Sequence, residues 1–181
     1  MIYDAVHSCQ TLLENEITIT YKDNHKSKLN KTIIINFEES DFPHLLGIHY
    51  LDDCNQFFLG RRKQVFRRII KHDYLKEKIQ NSDHYYKIIP RLEILIDFKN
   101  FINNNSELFF YEKPNWTDIE ADKVVKNFVS GKKSFFFLSR RNDLNYYVGR
   151  SIICSNEYFA LSRNKKIIVD IHWKKVKKQG K

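Results

Sequence analysis

The sequence predicts a single α+β domain in which helices pack on an antiparallel β-sheet meander. Three observations carry that expectation. The first half shows apolar residues at helical spacing, and the second half is dominated by short aromatic and β-branched runs separated by turn residues. The chain has 181 residues, 42% of them hydrophobic, enough for one real core. Only 5 Gly and 3 Pro beside 14 Phe and 10 Tyr argue against disorder or a turn-dense small scaffold. We expect the domain to span residues 1–173, with 174–181 as a basic C-terminal tail.

Residues 4–15 carry Ala5, Val6, Cys9, Leu12 and Leu13 at helical spacing. Ile17, Ile19 and Tyr21 alternate with Thr18, Thr20 and Lys22 as a strand does, and after the polar turn from Asp23 to Asn30, residues 32–37 supply a hairpin partner. Asp41 is placed to cap a helix start at Pro43. A basic helix is expected over 55–72, with Phe58, Val65 and Ile69 on one face. A second is expected over 85–104, where Ile88, Leu92, Leu95, Phe98 and Ile102 recur and Pro90 suits the first turn. Runs at 108–111, 124–129, 134–138, 146–148, 152–153, 158–161 and 167–169 complete the meander.

Lys and Arg number 31 against 22 Asp and Glu, a formal charge of +9. Such a balance serves solubility or a polyanionic partner; its clustering favours the polyanion, since each neutralised phosphate releases a counterion. The clusters are the 61–71 segment (Arg61, Arg62, Lys63, Arg67, Arg68, Lys71) and the tail. Arginine holds phosphate bidentately, although a run of charge is also the usual solvated helix face. RNA is the expected partner.

Cys9, Cys54 and Cys154 are odd in number and widely spaced, which points to reduced thiols rather than disulfides or a cysteine zinc site. The N-terminal residues lack signal-peptide character and no apolar run matches a membrane span, so a cytoplasmic protein without membrane contact is expected. The chain has no phosphate-binding glycine loop, dinucleotide fingerprint, nucleophile elbow or zincin helix, and no carboxylate–histidine set at metal-ligand spacing. No cofactor or metal is expected.

His44, in Phe42-Pro43-His44-Leu45-Leu46-Gly47, is the residue best suited to move protons near neutral pH. On the residues alone its apolar neighbours favour a core or capping histidine. Arg91, on an otherwise apolar helix, either snorkels to solvent, pairs with Glu93 or Asp97, or points into a site. Strand alternation puts Tyr147 and Ser151 on one face and Arg150 on the other, so a site using both Arg150 and Ser151 needs a bulge or a strand end. Arg67 and His72 also match the spacing of the all-helical HEPN ribonucleases, a fold that the β-rich second half contradicts.

The stretch Ile33–Leu51, IIINFEESDFPHLLGIHYL, resembles the opening motif of the phage-associated Barnase–EndoU–Colicin–RelE-like nucleases, fourth phage-type class. The basic segment after it, IIPRLEILIDF, and IEADKVV followed by Phe-rich strands are similar to that family's order, over most of residues 16–155. YYVGRSIICS resembles the family's closing strand, whereas residues 156–181 depart from the pattern. The resemblance implies an RNase-toxin-like fold and a metal-independent endoribonuclease acting as a toxin or effector in phage conflict. It implies His44 as general acid or base and Arg91, or else Arg61, as the cation. Ser134, Tyr147 and Ser151, with Arg150 beside them, would position phosphate or the 2′-hydroxyl. Two other readings remain: a non-catalytic nucleic-acid- or protein-binding module, and a protein whose basic surface faces an acidic antitoxin or inhibitor.

Overall fold

The computed structural model describes residues 1–115, 117–141, 145–154 and 165–176. Its centre is a closed barrel of seven strands in the order β1-β2-β6-β5-β4-β3-β7. The strands are β1 (Asn15–Lys22), β2 (Lys31–Ile35), β3 (Glu107–Phe110), β4 (Lys123–Val129), β5 (Lys132–Arg140), β6 (Tyr146–Cys154) and β7 (Lys165–Lys175). This corrects the expected antiparallel meander in two ways. β2 runs parallel to β6, pairing Ile34 with Tyr146 and Ile35 with Tyr147. β7 pairs antiparallel with both β1 and β3, so neither side of the sheet is left as an edge. Closure satisfies the backbone groups that an open sheet would present to solvent.

The local pattern follows from the residues even where the global one does not. Ile17, Ile19 and Tyr21 are buried on β1 opposite buried Ile35 and Ile33 on β2, as the alternation predicts. Ser134 to Ser139 on β5 is buried at every position because both faces of that strand are covered. One face, through Phe136 and Leu138, joins the main core with the helices. The other, through Phe135 and Phe137, joins Phe109, Tyr111 and Val124, with Ile119 and Ala121 packed against them.

The helices are α1 (Ile2–Leu13), α2 (Phe42–Leu45), α3 (Arg62–Lys71), α4 (Asp73–Gln80), α5 (Ile89–Ile96) and α6 (Phe98–Phe101). The basic helix expected over 55–72 is two pieces, a 3₁₀ stretch at Asp52–Phe58 and α3, separated by Leu59 in extended conformation and Gly60 at φ 113°. The helix expected over 85–104 breaks at Asp97. That break turns Phe98 edge-on to Phe37, 5.6 Å away, and to Phe136, 5.1 Å away. Burial of this aromatic cluster outweighs helix continuity.

α1 packs on β1 and α5, α2 and α5 pack on β6, and α3 packs on α2. The strand expected at 158–161 lies outside the described residues. Of the expected tail, Lys174 and Lys175 finish β7 opposite Glu16 and Asn15, and residues 177–181 lie outside the described residues. Among the described residues no helix is long and apolar enough to cross a membrane.

Candidate functional site

A bulge in β6 organises the site. Phe137 of β5 pairs with Ser151, but its neighbour Leu138 pairs with Gly149, so Arg150 is the extra residue without a partner. The bulge turns Arg150 outward to solvent and lets Arg150 and Ser151 face the same cleft. Glycine is required at 149. A Cβ there would lie 2.6 Å from the Phe136 ring and 3.2 Å from Leu45 of α2, so α2 sits directly on the bulge.

α2 is a single turn opened by Pro43 and preceded by Asp41. The Glu38 backbone N–H donates to the Asp41 carboxylate at 2.7 Å, which fixes the approach to the turn. Burial raises the Asp41 carboxyl above its ordinary range, opposed by that N–H and by Arg141. After α2, Gly47 adopts φ 81°, and a Cβ there would meet Arg91 Cδ and Ile88 Cγ2, each at 2.9 Å. This left-handed turn folds the chain back so that His49 stacks on His44. The ring centroids are 4.4 Å apart with planes 6° from parallel, and Tyr50 lies 4.1 Å beyond His49.

Both imidazoles are held neutral. The His44 pKa falls to about 4, chiefly through desolvation, with His49, Arg62, Arg91 and Arg150 adding repulsion. His49 also falls to about 4, through desolvation and then Arg91 and Arg62. The cleft of about 510 Å³ is lined by Asp41, His44, Tyr50, Arg62, Arg150 and Ser151, with Asp118 and Glu120 contributed by the segment before β4. A second cleft of about 380 Å³ shares His44 and Arg62 and runs past His49 to Phe58. Cations, a neutral imidazole and a hydroxyl therefore converge on one open groove. Among the described residues no three His, Cys, Asp or Glu side chains gather as a metal site.

The whole chain, residues 1–181, matches the family described as phage-Barnase-EndoU-ColicinE5/D-RelE like nuclease4. The chain belongs to this nuclease family. No curated protein and no solved structure matches it.

The fold divides the residues singled out in the sequence. His44, Arg62, Arg150 and Ser151 line the larger of the two neighbouring clefts together. Arg91 is 6% exposed and stands behind it: its Nη2 donates to Tyr50 Oη at 2.9 Å, and its guanidinium lies 4.8 Å from the Tyr50 ring centroid. It borders a separate cavity of about 270 Å³ with Tyr50, Pro90 and Cys154. Tyr147 is absent from the His44 cleft and lines a different cavity. Ser134 is fully buried, its hydroxyl donating to Lys132 O and lying 3.5 Å from Cys154 Sγ.

On α3, Arg67 clasps Glu39, with Nε 2.9 Å and 3.0 Å from the two carboxylate oxygens, and Lys63 lies 3.8 Å from the same carboxylate. Arg68 donates to Leu59 O, and Arg61 and Lys71 are exposed at the two ends of the helix. His49 and Tyr50 were not singled out in the sequence, although they lie in the same HLLGIHY segment as His44. Gly47, between His44 and His49, was the available sign that the segment doubles back.

Proposed function

We propose that this family member is an endoribonuclease that cleaves RNA without a metal ion, acting as a toxin or effector in phage conflict. The observation that supports this most directly is the convergence of His44, Arg62, Arg150 and Ser151 on one cleft through the β6 bulge. RNA carries its own nucleophile, the 2′-hydroxyl, so cleavage needs a proton acceptor beside it and positive charge around the phosphorus. His44, neutral at pH 7, takes the 2′-hydroxyl proton as O2′ bonds to phosphorus. Arg62 and Arg150 carry the charge of the phosphorane, and Ser151 donates a hydrogen bond to a phosphate oxygen. The P–O5′ bond then breaks, the 5′-oxygen takes a proton from water in the open cleft, His44 gives its proton to the hydroxide so formed, and a 2′,3′-cyclic phosphate remains. Arg91 is a positioning residue, acting through Tyr50 and through its charge on both imidazoles.

Incubation with total RNA in EDTA tests this reading, with wild type beside His44→Gln and Arg150→Gln. Cleavage by wild type that leaves 2′,3′-cyclic ends, with loss of about 10² or more in each variant, is expected. Strict magnesium dependence would reject the mechanism, and full activity in His44→Gln would return His44 to the structural role its packing also suits.

A further inference from the structure

The barrel has a second opening, formed where β1, β3 and β5 end and β2, β4 and β6 begin. Tyr21, Phe110, Arg140, Lys31, Lys123 and Tyr147 come one from each of these strands and line a cavity of about 610 Å³. None of the residues of the His44 cleft takes part.

Lys123 is its most unusual member. A lysine on a strand face otherwise occupied by core residues needs a reason, because burying an ammonium is costly. Lys123 is 4% exposed, and its Nζ lies 3.7 Å from the Phe110 ring centroid, 5.5 Å from Tyr21 and 5.6 Å from Tyr147. Three aromatic faces therefore hold one ammonium, but they supply no counter-charge. Lys166 of β7, its Nζ 4.5 Å from the Phe110 ring centroid, adds a further cation and is 3.2 Å from Asp23, which Lys31 also engages. Burial first, then Lys166 and Arg140, lowers the Lys123 pKa to about 8. Lys31, Lys123 and Arg140 face the cavity against one lining carboxylate, Asp122, which accepts the Arg140 backbone N–H at 2.7 Å.

We infer that this mouth binds a phosphate monoester with an organic body of mononucleotide size, its phosphate resting between Lys123 and Arg140. The caged ammonium, which makes no ion pair among the described residues, and the adjoining guanidinium define the anion position. The cavity is far larger than a bare phosphate and falls in the range of small-ligand pockets. Thr32, Asn145 and Asp122 around the rim offer partners for the hydroxyls of a sugar.

Isothermal titration of the full chain with 5′-AMP and, separately, with inorganic phosphate tests the inference. AMP is expected to bind wild type, with affinity reduced about tenfold or more by Lys123→Met, which keeps the aliphatic stem, and by Arg140→Gln. His44→Gln and Arg62→Gln are expected to bind AMP as wild type does. The Lys123 side-chain ¹⁵N resonance of wild type should shift on AMP addition, a readout that needs no variant to fold. Absence of AMP binding, or retention in Lys123→Met together with loss in Arg62→Gln, overturns the site. Phosphate binding as tightly as AMP overturns the nucleotide-sized ligand. None of these outcomes depends on whether RNA is cleaved at the His44 cleft.

Discussion

The imidazoles of His44 and His49 lie face to face, 4.4 Å between centroids and 6° from parallel, on either side of the left-handed turn at Gly47. Neither ring can take a proton without placing a cation on its neighbour and near Arg62 and Arg91. Charge repulsion and desolvation thus act in the same direction on both.

The first prediction concerns pH. An unfolded histidine titrates near 6.5, whereas folded His44 and His49 titrate near 4. Unfolding therefore takes up protons between about pH 4 and about pH 6.5, and stability falls as pH drops through that window. Above it the penalty is absent. Thermal melts from pH 7 to pH 4.5 should show a steeper loss for wild type than for His44→Gln/His49→Gln. Proton NMR should place neither C2–H titration near 6.5, and RNA cleavage should show no step there.

Arg91 and Tyr50 supply the second. Tyr50→Phe removes the acceptor of Arg91 Nη2 at a group whose buried Nη1 has no hydrogen-bond partner among the described residues. The expected cost is about 1–3 kcal/mol in urea denaturation. Arg91→Met, which removes the buried charge itself, should cost less stability than Tyr50→Phe while reducing cleavage more. The reverse order would place Arg91 in a purely structural role.

A third prediction tests the bulge. Gly149→Ala drives a methyl into Phe136 and Leu45, and should destabilise by about 1–3 kcal/mol. The same strain pushes α2 away from β6, so cleavage should fall by more than the change in folded fraction explains.

The arginines of α3 separate in a fourth. Arg67 is already clasped by Glu39, whereas Arg62 opens into both clefts beside His44. Salt titrations of single-stranded RNA binding should show a shallower slope, by about 0.7 per lost contact, for Arg62→Gln. Arg67→Gln should leave the slope close to that of wild type.

What the residues reveal before folding depends on range. The β1–β2 hairpin is legible because Ile17, Ile19, Ile33 and Ile35 alternate within one short stretch. That Arg150 and Ser151 can share a cleft only at a bulge or a strand end is legible too, since neighbours on a regular strand face opposite ways. Barrel closure is not. The parallel seam of Ile34 and Ile35 with Tyr146 and Tyr147 joins segments far apart in the chain, and period-two patterns carry no information about such partners. β7 is legible only at its start, in the run 167–169; the residues after it are exposed or half-buried, so its continuation to Lys175 looks like surface. Asp118 and Glu120 reach the cleft only through the folded course of the segment before β4, and no local spacing marks them.

The seam between β1 and β7 has a consequence for the order in which the protein comes into being. Asn15 pairs with Lys175, about 160 residues later, so the first strand to leave the ribosome waits for the last described one. Until β7 emerges, β1 is an open edge and the ring around the mouth is incomplete. Up to that point a growing chain, tethered to the RNA-rich machine that makes it, is without its finished barrel.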